Sequence, residues 1–297
     1  MNHHRLSGKD FFTSGELPLA ILWRTPQQPF PVHTHDFFEL VIIFSGKGIL
    51  ITDYGQYSVI RGDAFVVRDD QLHGYKNLND LVLVNILYDQ SIVNYSPYDL
   101  KNIPGFHALF TLDPLYRKRH GMKGRLRLSD EQLTRANLLI ERMEEELRNK
   151  KSGFQSMTAA LFMQLLCSLS RWYTELPFED PGWFIKVGTV LSFLEEHFQE
   201  QITIGHLTSL ARMSESSLTR AFRKITGSPP VDYLIKLRIR HASELLKETE
   251  KSITQVALDC GFSDSNYFSR QFKKIINTTP RQYRRNHQYH HSSKESV

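Results

Sequence analysis

The sequence predicts two domains of different class: an all-β barrel followed by a helical pair, then an all-α domain built from two helix-turn-helix units. Three observations carry this. Residues 19–88 form a series of short runs rich in Val, Ile, Leu, Phe and Tyr, separated by turn signals. Beyond about residue 204 the chain repeats itself at an offset of about 50 positions. The formal net charge of +5 is uneven: from Trp183 onward 17 Lys and Arg face 11 Asp and Glu, whereas before it 20 face 21.

The 297 residues suffice for two ordinary cores. With 40% hydrophobic and 23% charged residues, the composition is that of a globular chain rather than a disordered one. No apolar run approaches the roughly 18–20 residues of a membrane span. The N-terminus MNHHRLSGKDFF lacks an apolar stretch of signal-peptide length, so the cytoplasm is the expected compartment and no membrane partner is expected. The 2 cysteines, Cys167 and Cys260, exclude a disulfide framework and a Cys-based zinc site. The histidines near the termini read as parts of solvated ends.

In the barrel, strands are expected at 38–44, 48–52, 57–60, 64–68 and 81–88, with turns at Ser45-Gly46, Asp53-Tyr54-Gly55, Arg61-Gly62-Asp63 and Asn79-Asp80. Many short strands at this spacing suggest a sandwich or barrel. A chemical pattern is embedded in them. His33, His35 and Glu39 form H-x-H-x-x-x-E, and His73 and Asn77 follow as H-x-x-x-N. Side chains alternate along a strand, so His33 and His35 share a face. Three imidazoles and a carboxylate then have a common interior to converge in. The pattern resembles the cupin superfamily, a jelly-roll fold whose metal-binding members use these spacings.

Three roles stay open for this set. It suits a divalent metal such as Mn, Fe, Ni or Zn. It suits direct hydrogen bonds to the hydroxyls of a small sugar. The histidines could also simply pair with Asp36 or Glu39. No cofactor is assigned, and His33, His35, Glu39 and His73 remain a candidate metal cluster. Trp23, Arg24, Tyr75 and Asn85 are further candidates for an effector pocket, and Tyr88 a similar one.

The middle of the chain reads as a helical pair. Ser129-Asp130-Glu131-Gln132 is a capping-box start. Leu133, Ala136, Ile140, Met143 and Leu147 then recur at alternating spacings of 3 and 4, the seam of a coiled coil, and are candidate dimerisation residues. A second helix follows Ser152-Gly153, with Met157, Leu161, Leu165, Leu169 and Trp172 on one side. The acidic, Pro-bounded TELPFEDP reads as a linker.

The repeat is specific. Arg220 aligns with Arg270, Phe222 with Phe272, Lys224 with Lys274, Ile225 with Ile275, Pro230 with Pro280 and Tyr233 with Tyr283. Each copy reads as helix, turn, helix, with Thr203, Ser214, Ser252 and either Ser263 or Asp264 as caps. The second helix of copy one buries Leu218, Phe222 and Ile225 and exposes Ser216, Ser217, Thr219, Arg220, Arg223 and Lys224. That of copy two buries Phe268, Phe272 and Ile275 and exposes Ser265, Asn266, Ser269, Arg270, Lys273 and Lys274. An α-helix fits the major groove, where Arg bonds guanine and Asn adenine, while Lys, Ser and Thr hold phosphates. A long helix between the copies is suited to holding two reading helices roughly 34 Å apart.

The run DCGFSDSNYFSRQFKKIINTTPRQYRR resembles the signature of the AraC/XylS family of bacterial transcription regulators, as does LARMSESSLTRAFRKITGSPPVDYL in the first copy. The resemblance covers the chain from about residue 187. It implies that Ser216, Thr219, Arg220, Ser265, Asn266, Ser269 and Arg270 contact bases or phosphates. Ser216 and Ser217 depart from the bulkier readers of relatives. In the N-terminal half, HTHDFFELVI, NDLVLVNILYD and IPGF are similar to the activators of bacterial L-rhamnose catabolism. That resemblance implies L-rhamnose or a related deoxysugar as effector.

The expected organisation is a cupin-like sensing domain at 1–125, a helical dimerisation segment at 126–175, a linker at 176–186 and a DNA-binding domain at 187–297. Its helix-turn-helix units span 204–225 and 252–276. The expected function is a sugar-responsive, DNA-binding transcription activator, not an enzyme, with promoter DNA, RNA polymerase and a second copy of itself as partners. The alternative is a metal-dependent cupin enzyme, an isomerase or dioxygenase, with a DNA-binding domain appended.

Overall fold

A computed structural model describes residues 4–53, 55–94, 99–112, 126–175 and 183–292. The chain divides into two compact units, Met1–Gly188 and Thr189–Val297.

Among the described residues the first unit contains a sheet of eight strands: β1 (His4–Leu6), β2 (Leu19–Arg24), β3 (Phe30–His35), β4 (Phe38–Thr52), β5 (Gly55–Ile60), β6 (Asp63–Val67), β7 (His73–Tyr88) and β8 (Leu126–Arg127). Its spine is the antiparallel pair of the two long strands, β4 and β7. The half of this ribbon holding Phe38–Ile43 is flanked by β6 and β2. The half holding Lys47–Thr52 is flanked by β5 and β3, with β1 added in parallel beyond β3.

The register between the two halves shifts repeatedly from Ile43 to Ile49. Bulges of this kind bend a strand and increase its twist. Apolar residues from both halves accordingly meet in one core, including Val41, Ile43, Leu50, Val59, Phe65 and Leu83. The two runs expected at 38–44 and 48–52 are therefore one strand, and Ser45-Gly46 is a bulge inside it rather than a hairpin turn. Gly46 is held at φ 73°, and a Cβ there would stand 2.1 Å from the Asp80 carbonyl oxygen.

The two long helices of this unit among the described residues are α1 (Asp130–Asn149) and α2 (Phe154–Thr174). Ser129 and Gln132 form the expected capping box, each side chain accepting from the other's backbone N–H. The candidate dimer seam needs correction. Leu133, Ala136, Ile140 and Met143 are buried within the chain itself, and Leu147 is half-buried. The stripe packs on its own unit, where α2 contributes Leu161, Leu165 and Leu169 to the core, so it is not free to meet a second copy.

The IPGF segment has a packing role. Gly105 lies so close to α2 that a Cβ would stand 1.9 Å from the Ser170 carbonyl oxygen, and its N–H donates to Thr174 Oγ1 at 3.0 Å.

Among the described residues seven helices follow: α3 (Trp183–His197), α4 (Ile204–Ala211), α5 (Glu215–Thr226), α6 (Pro230–Glu248), α7 (Ile253–Asp259), α8 (Ser265–Ile276) and α9 (Pro280–Ser292). Residues 183–186 of the expected linker are already helical, because the apolar run from Trp183 starts α3. The rest of that linker, 176–182, lies outside the described residues, as do 113–125 of the expected sensing domain. Thr203, Ser214, Ser252 and Asp264 each cap the following helix by accepting a backbone N–H. Gly227 at φ 74° and Asn277 at φ 62° end α5 and α8 at equivalent points of the repeat. Among the described residues no helix is long and apolar enough to cross a membrane.

Candidate effector cavity and nucleic-acid interface

A cavity of about 280 Å³ opens in the first unit. Its apolar lining comes from Leu6, Phe11, Leu22, Phe30, Phe37 and Leu87. Polar groups enter it from Arg24, Gln27, His33, Glu39, His73, Tyr75 and Asn85. Their placement follows from strand alternation. On β2, Leu22 and Arg24 face the cavity, and Leu22 stands opposite Asn85 of β7 in the ladder. Trp23, between them, points to the other face and packs on Phe44 with ring centroids 4.9 Å apart. Trp23 is thus not a pocket wall. Tyr88 is buried against Phe162 and does not line the cavity either. Asn77 lies within β7 with a left-handed φ of 50° and is not among the residues lining the cavity.

The histidines do converge. His33 stands opposite His73 in the β3–β7 pairing, with ring centroids 4.3 Å apart. His35 and His73 each bring Nε2 to 3.2 Å from the same oxygen, Oε2 of Glu39. His35, His73 and Glu39 are almost completely buried. Burial favours the neutral form of the Glu39 carboxyl, but the two imidazoles beside it prevail and hold it far below the ordinary carboxylate range. Glu39 is therefore an anion. Burial, then the neighbouring His73, push His33 down from 6.5 to about 4, so its ring is neutral at pH 7.

Each of the three rings donates Nδ1–H to a main-chain carbonyl two residues away. His33 donates to Pro31 at 2.9 Å, His35 to Phe37 at 2.7 Å and His73 to Gln71 at 3.3 Å. Asp36 takes no part, accepting instead from Ser7 Oγ and the Gly8 N–H of the N-terminal segment. His35, Glu39 and His73 have ligand atoms within 4.8 Å of one another, a geometry that admits a metal ion.

Much of the apolar lining carries no signal in the sequence. Leu6 and Phe11 lie in a segment that reads as a polar terminus, yet β1 pairs with β3 and brings them to the cavity. The only signal was the Phe11-Phe12 pair amid polar residues. Gln27 and Phe30 precede the H-x-H motif in a Pro-broken stretch without periodicity.

In the second unit, α5 and α8 present matching faces. Leu218 and Phe222 of α5, and Phe268 and Phe272 of α8, are fully buried. On the outer side, Ser216, Arg220, Arg223 and Lys224 are exposed on α5, and Asn266, Arg270, Lys273 and Lys274 on α8. Thr219, Ser265 and Ser269 are half-buried, and Ser269 Oγ donates to the Ser265 carbonyl. Ser217 is also half-buried and is engaged by the cap, where its N–H and Oγ both meet Ser214 Oγ. Ser217 is thereby tied to the helix start. Tyr267, absent from the expected set, is exposed on α8, and the Arg270 guanidinium lies 5.9 Å from its ring centroid.

Two family models match the chain. A helix-turn-helix domain model matches residues 207–286, and an AraC-like ligand binding domain model matches residues 18–166. The chain is 33% identical to the HTH-type transcriptional activator RhaS of Enterobacter sp. (strain 638), over 94% of this chain and 96% of that protein. It is 34% identical to the HTH-type transcriptional activator RhaR of the same organism, over 93% and 94% of the two chains. Among solved structures, the DNA-binding domain of AdpA in complex with a target DNA is 30% identical, with 35% of this chain and 95% of that chain covered and a TM-score of 0.34.

Proposed function

The chain belongs to the AraC family of transcription regulators, and from that premise we propose that it activates transcription of sugar-catabolism genes in response to a small sugar bound in the cavity of its first unit. The observation that carries this reading is the pairing, in one chain, of two kinds of surface. The first unit holds a ligand-sized cavity lined by both apolar side chains and several polar groups. The second carries two basic helices with Arg220 and Arg270 exposed at equivalent positions of the repeat.

The cavity favours a deoxysugar over a fully hydroxylated one. A methyl group finds Phe11, Phe30 and Leu87, while the hydroxyls find Arg24, Gln27 and Asn85. L-rhamnose is the effector of choice. On DNA, Arg220 and Arg270 read base edges, and Lys224, Lys273 and Lys274 hold phosphates. Sugar binding changes DNA affinity only insofar as the sugar prefers one of two states of the protein. RNA polymerase is the partner at the promoter, and the cytoplasm the site of action. The protein acts as a homodimer whose contact lies outside the buried stripe of α1. Leu138, 55% exposed on the outer face of that helix, is available to it.

The test is fluorescence anisotropy of a labelled promoter fragment titrated with the protein, with and without L-rhamnose, against a random duplex. The reading requires promoter affinity well above that for the random duplex and a change on adding L-rhamnose. Equal affinity for both duplexes would refute sequence-specific regulation. A promoter preference unaffected by L-rhamnose or any other sugar would refute the effector alone.

A further inference from the structure

We propose that Arg238 and Gly261 clasp the two helix-turn-helix units together through the loop at 198–201, and that this clasp sets the one DNA spacing at which α5 and α8 bind at the same time. The proposal rests on the reading of α5 and α8 as the base-reading helices, and goes beyond it to what fixes their separation.

The long helix α6 serves both copies. Its Tyr233 meets Phe222 of α5 with ring centroids 6.0 Å apart, while its Ile239, Ala242 and Leu246 join Phe268 and Phe272 of α8 in one core. One helix is still a single line of attachment, and packed helices slide and rock on one another by small amounts.

The structure supplies a second line. The loop at 198–201 leaves α3 and leads into Thr203, the cap of α4, so it is the entry to the first helix-turn-helix. α3 packs on α4, with the rings of Phe193 and His206 4.8 Å apart. Against this loop stands the turn of the second copy. Gly261, between α7 and α8, lies so close that a Cβ would stand 2.6 Å from the Gln199 carbonyl oxygen. Gln201 Nε2 donates to the Gly261 carbonyl at 3.3 Å.

Arg238 of α6 reaches both sides of this contact. Its Nε donates to the Phe198 carbonyl at 2.7 Å, and a terminal nitrogen donates to that of Glu200 at 2.6 Å. The same guanidinium lies 5.6 Å from the ring centroid of Phe262, the neighbour of Gly261. Only 8% of Arg238 is exposed. A buried charge adds little stability over an apolar side chain of similar volume. A planar fork that fits two carbonyls at a fixed separation defines a position instead. Glu195, near the end of α3, adds to the clasp by accepting from Tyr233 Oη at 3.3 Å and from Arg240 at 3.0 Å. The entry of the first copy, the turn of the second and α6 thus hold one another in a closed triangle.

Two joined readers assist each other only when both reach their sites. Major grooves on one face of the duplex recur about every 34 Å, so inserted base pairs carry the second site both along and around the axis. A stiff joint cannot follow that movement, and a loose one can.

The test uses the full-length chain and a duplex that it selects from a randomised DNA pool. Base pairs whose substitution ceases to matter in Arg220→Ala or in Arg270→Ala mark the sites of α5 and α8. Fluorescence anisotropy then gives the affinity for that duplex and for versions with two base pairs inserted between the sites. In the wild type the insertion should cost at least about tenfold, the loss of one unit's base contacts. In Arg238→Met, which keeps an apolar stem without donors, the parent duplex should bind more weakly and the insertion should cost no more than about threefold. Thermal unfolding checks that the variant folds. If it does not, Arg238→Lys, which keeps the charge without the planar fork, makes the same comparison. A general structural loss would weaken binding to every duplex alike and leave the ratio between spacings at the wild-type value, and that result overturns the proposal. A wild type indifferent to the insertion overturns it as well. If neither Arg220→Ala nor Arg270→Ala weakens binding to the selected duplex, the reading of α5 and α8 falls instead, and the clasp loses its role with it.

Discussion

His73 Nε2 lies 3.2 Å from Glu39 Oε2, a contact that forms only because β7 returns alongside both β3 and β4. The same return sets His73 opposite His33, and Asn85 between Leu22 of β2 and Val41 of β4. One strand thus supplies both the imidazole at the buried cluster and an amide that lines the same cavity.

The cavity assignment separates neighbours on β2. Arg24→Ala and Asn85→Leu should each lower affinity for L-rhamnose by about tenfold to a hundredfold, the loss of a hydrogen bond worth about 1.5–3 kcal/mol. Trp23→Leu, on the opposite face, should leave it unchanged. Calorimetry on the three variants checks this, and a loss at Trp23 equal to that at Arg24 would reverse the assigned faces of the strand.

On the DNA side, Arg220→Ala and Arg270→Ala should each cost about 1–3 kcal/mol on the specific site and much less on random duplex. The contrast between the two duplexes is the readout. For Arg270, Tyr267→Ala should give a smaller loss in the same direction, because the ring supports the guanidinium.

Lys224→Ala should weaken binding to all sequences alike and reduce the slope of log affinity against log salt by about 1. Affinity measured at four or five salt concentrations gives that slope. An unchanged slope would place Lys224 away from phosphate.

The buried stripe of α1 predicts where its energy goes. Ile140→Ala should destabilise the fold by about 2–5 kcal/mol, as for other large-to-small changes in a core. The loss should be the same at every protein concentration. A midpoint that falls on dilution more steeply than in the wild type would mean that Ile140 meets a second chain.

Gly105→Ala tests the close approach of the IPGF segment to α2. A Cβ set against the Ser170 carbonyl should cost at least about 1–3 kcal/mol through overpacking, read as a lower midpoint of thermal unfolding. An unchanged midpoint would mean that the backbone there moves apart freely.

Much of this was legible in the residues. Capping signals at Ser129, Thr203, Ser214 and Ser252, and Gly227 past the end of α5, act within a turn or two of themselves. The repeat could be read because both copies bury the same positions, Leu218 and Phe268, Phe222 and Phe272. The H-x-H spacing announced a shared face for His33 and His35. The inward residues of β2 could not be told from its sequence, because the run Leu19–Trp23 is apolar throughout and shows no alternation that would separate Trp23 from its neighbours. Leu6 and Phe11 were missed because their contacts depend on pairing between β1 and β3, which no local pattern encodes.

The α1 stripe marks the limit most clearly. Its alternating spacing of 3 and 4 established an amphipathic helix with one apolar seam, and that held. Whether the seam would meet a second chain or its own could not follow from spacing. The free energy of burial depends on the apolar area removed from water and not on whose surface removes it. Leu133, Ala136, Ile140 and Met143 satisfy the same pattern either way. The choice fell to the three-dimensional packing of their own unit, which covers them before any partner can.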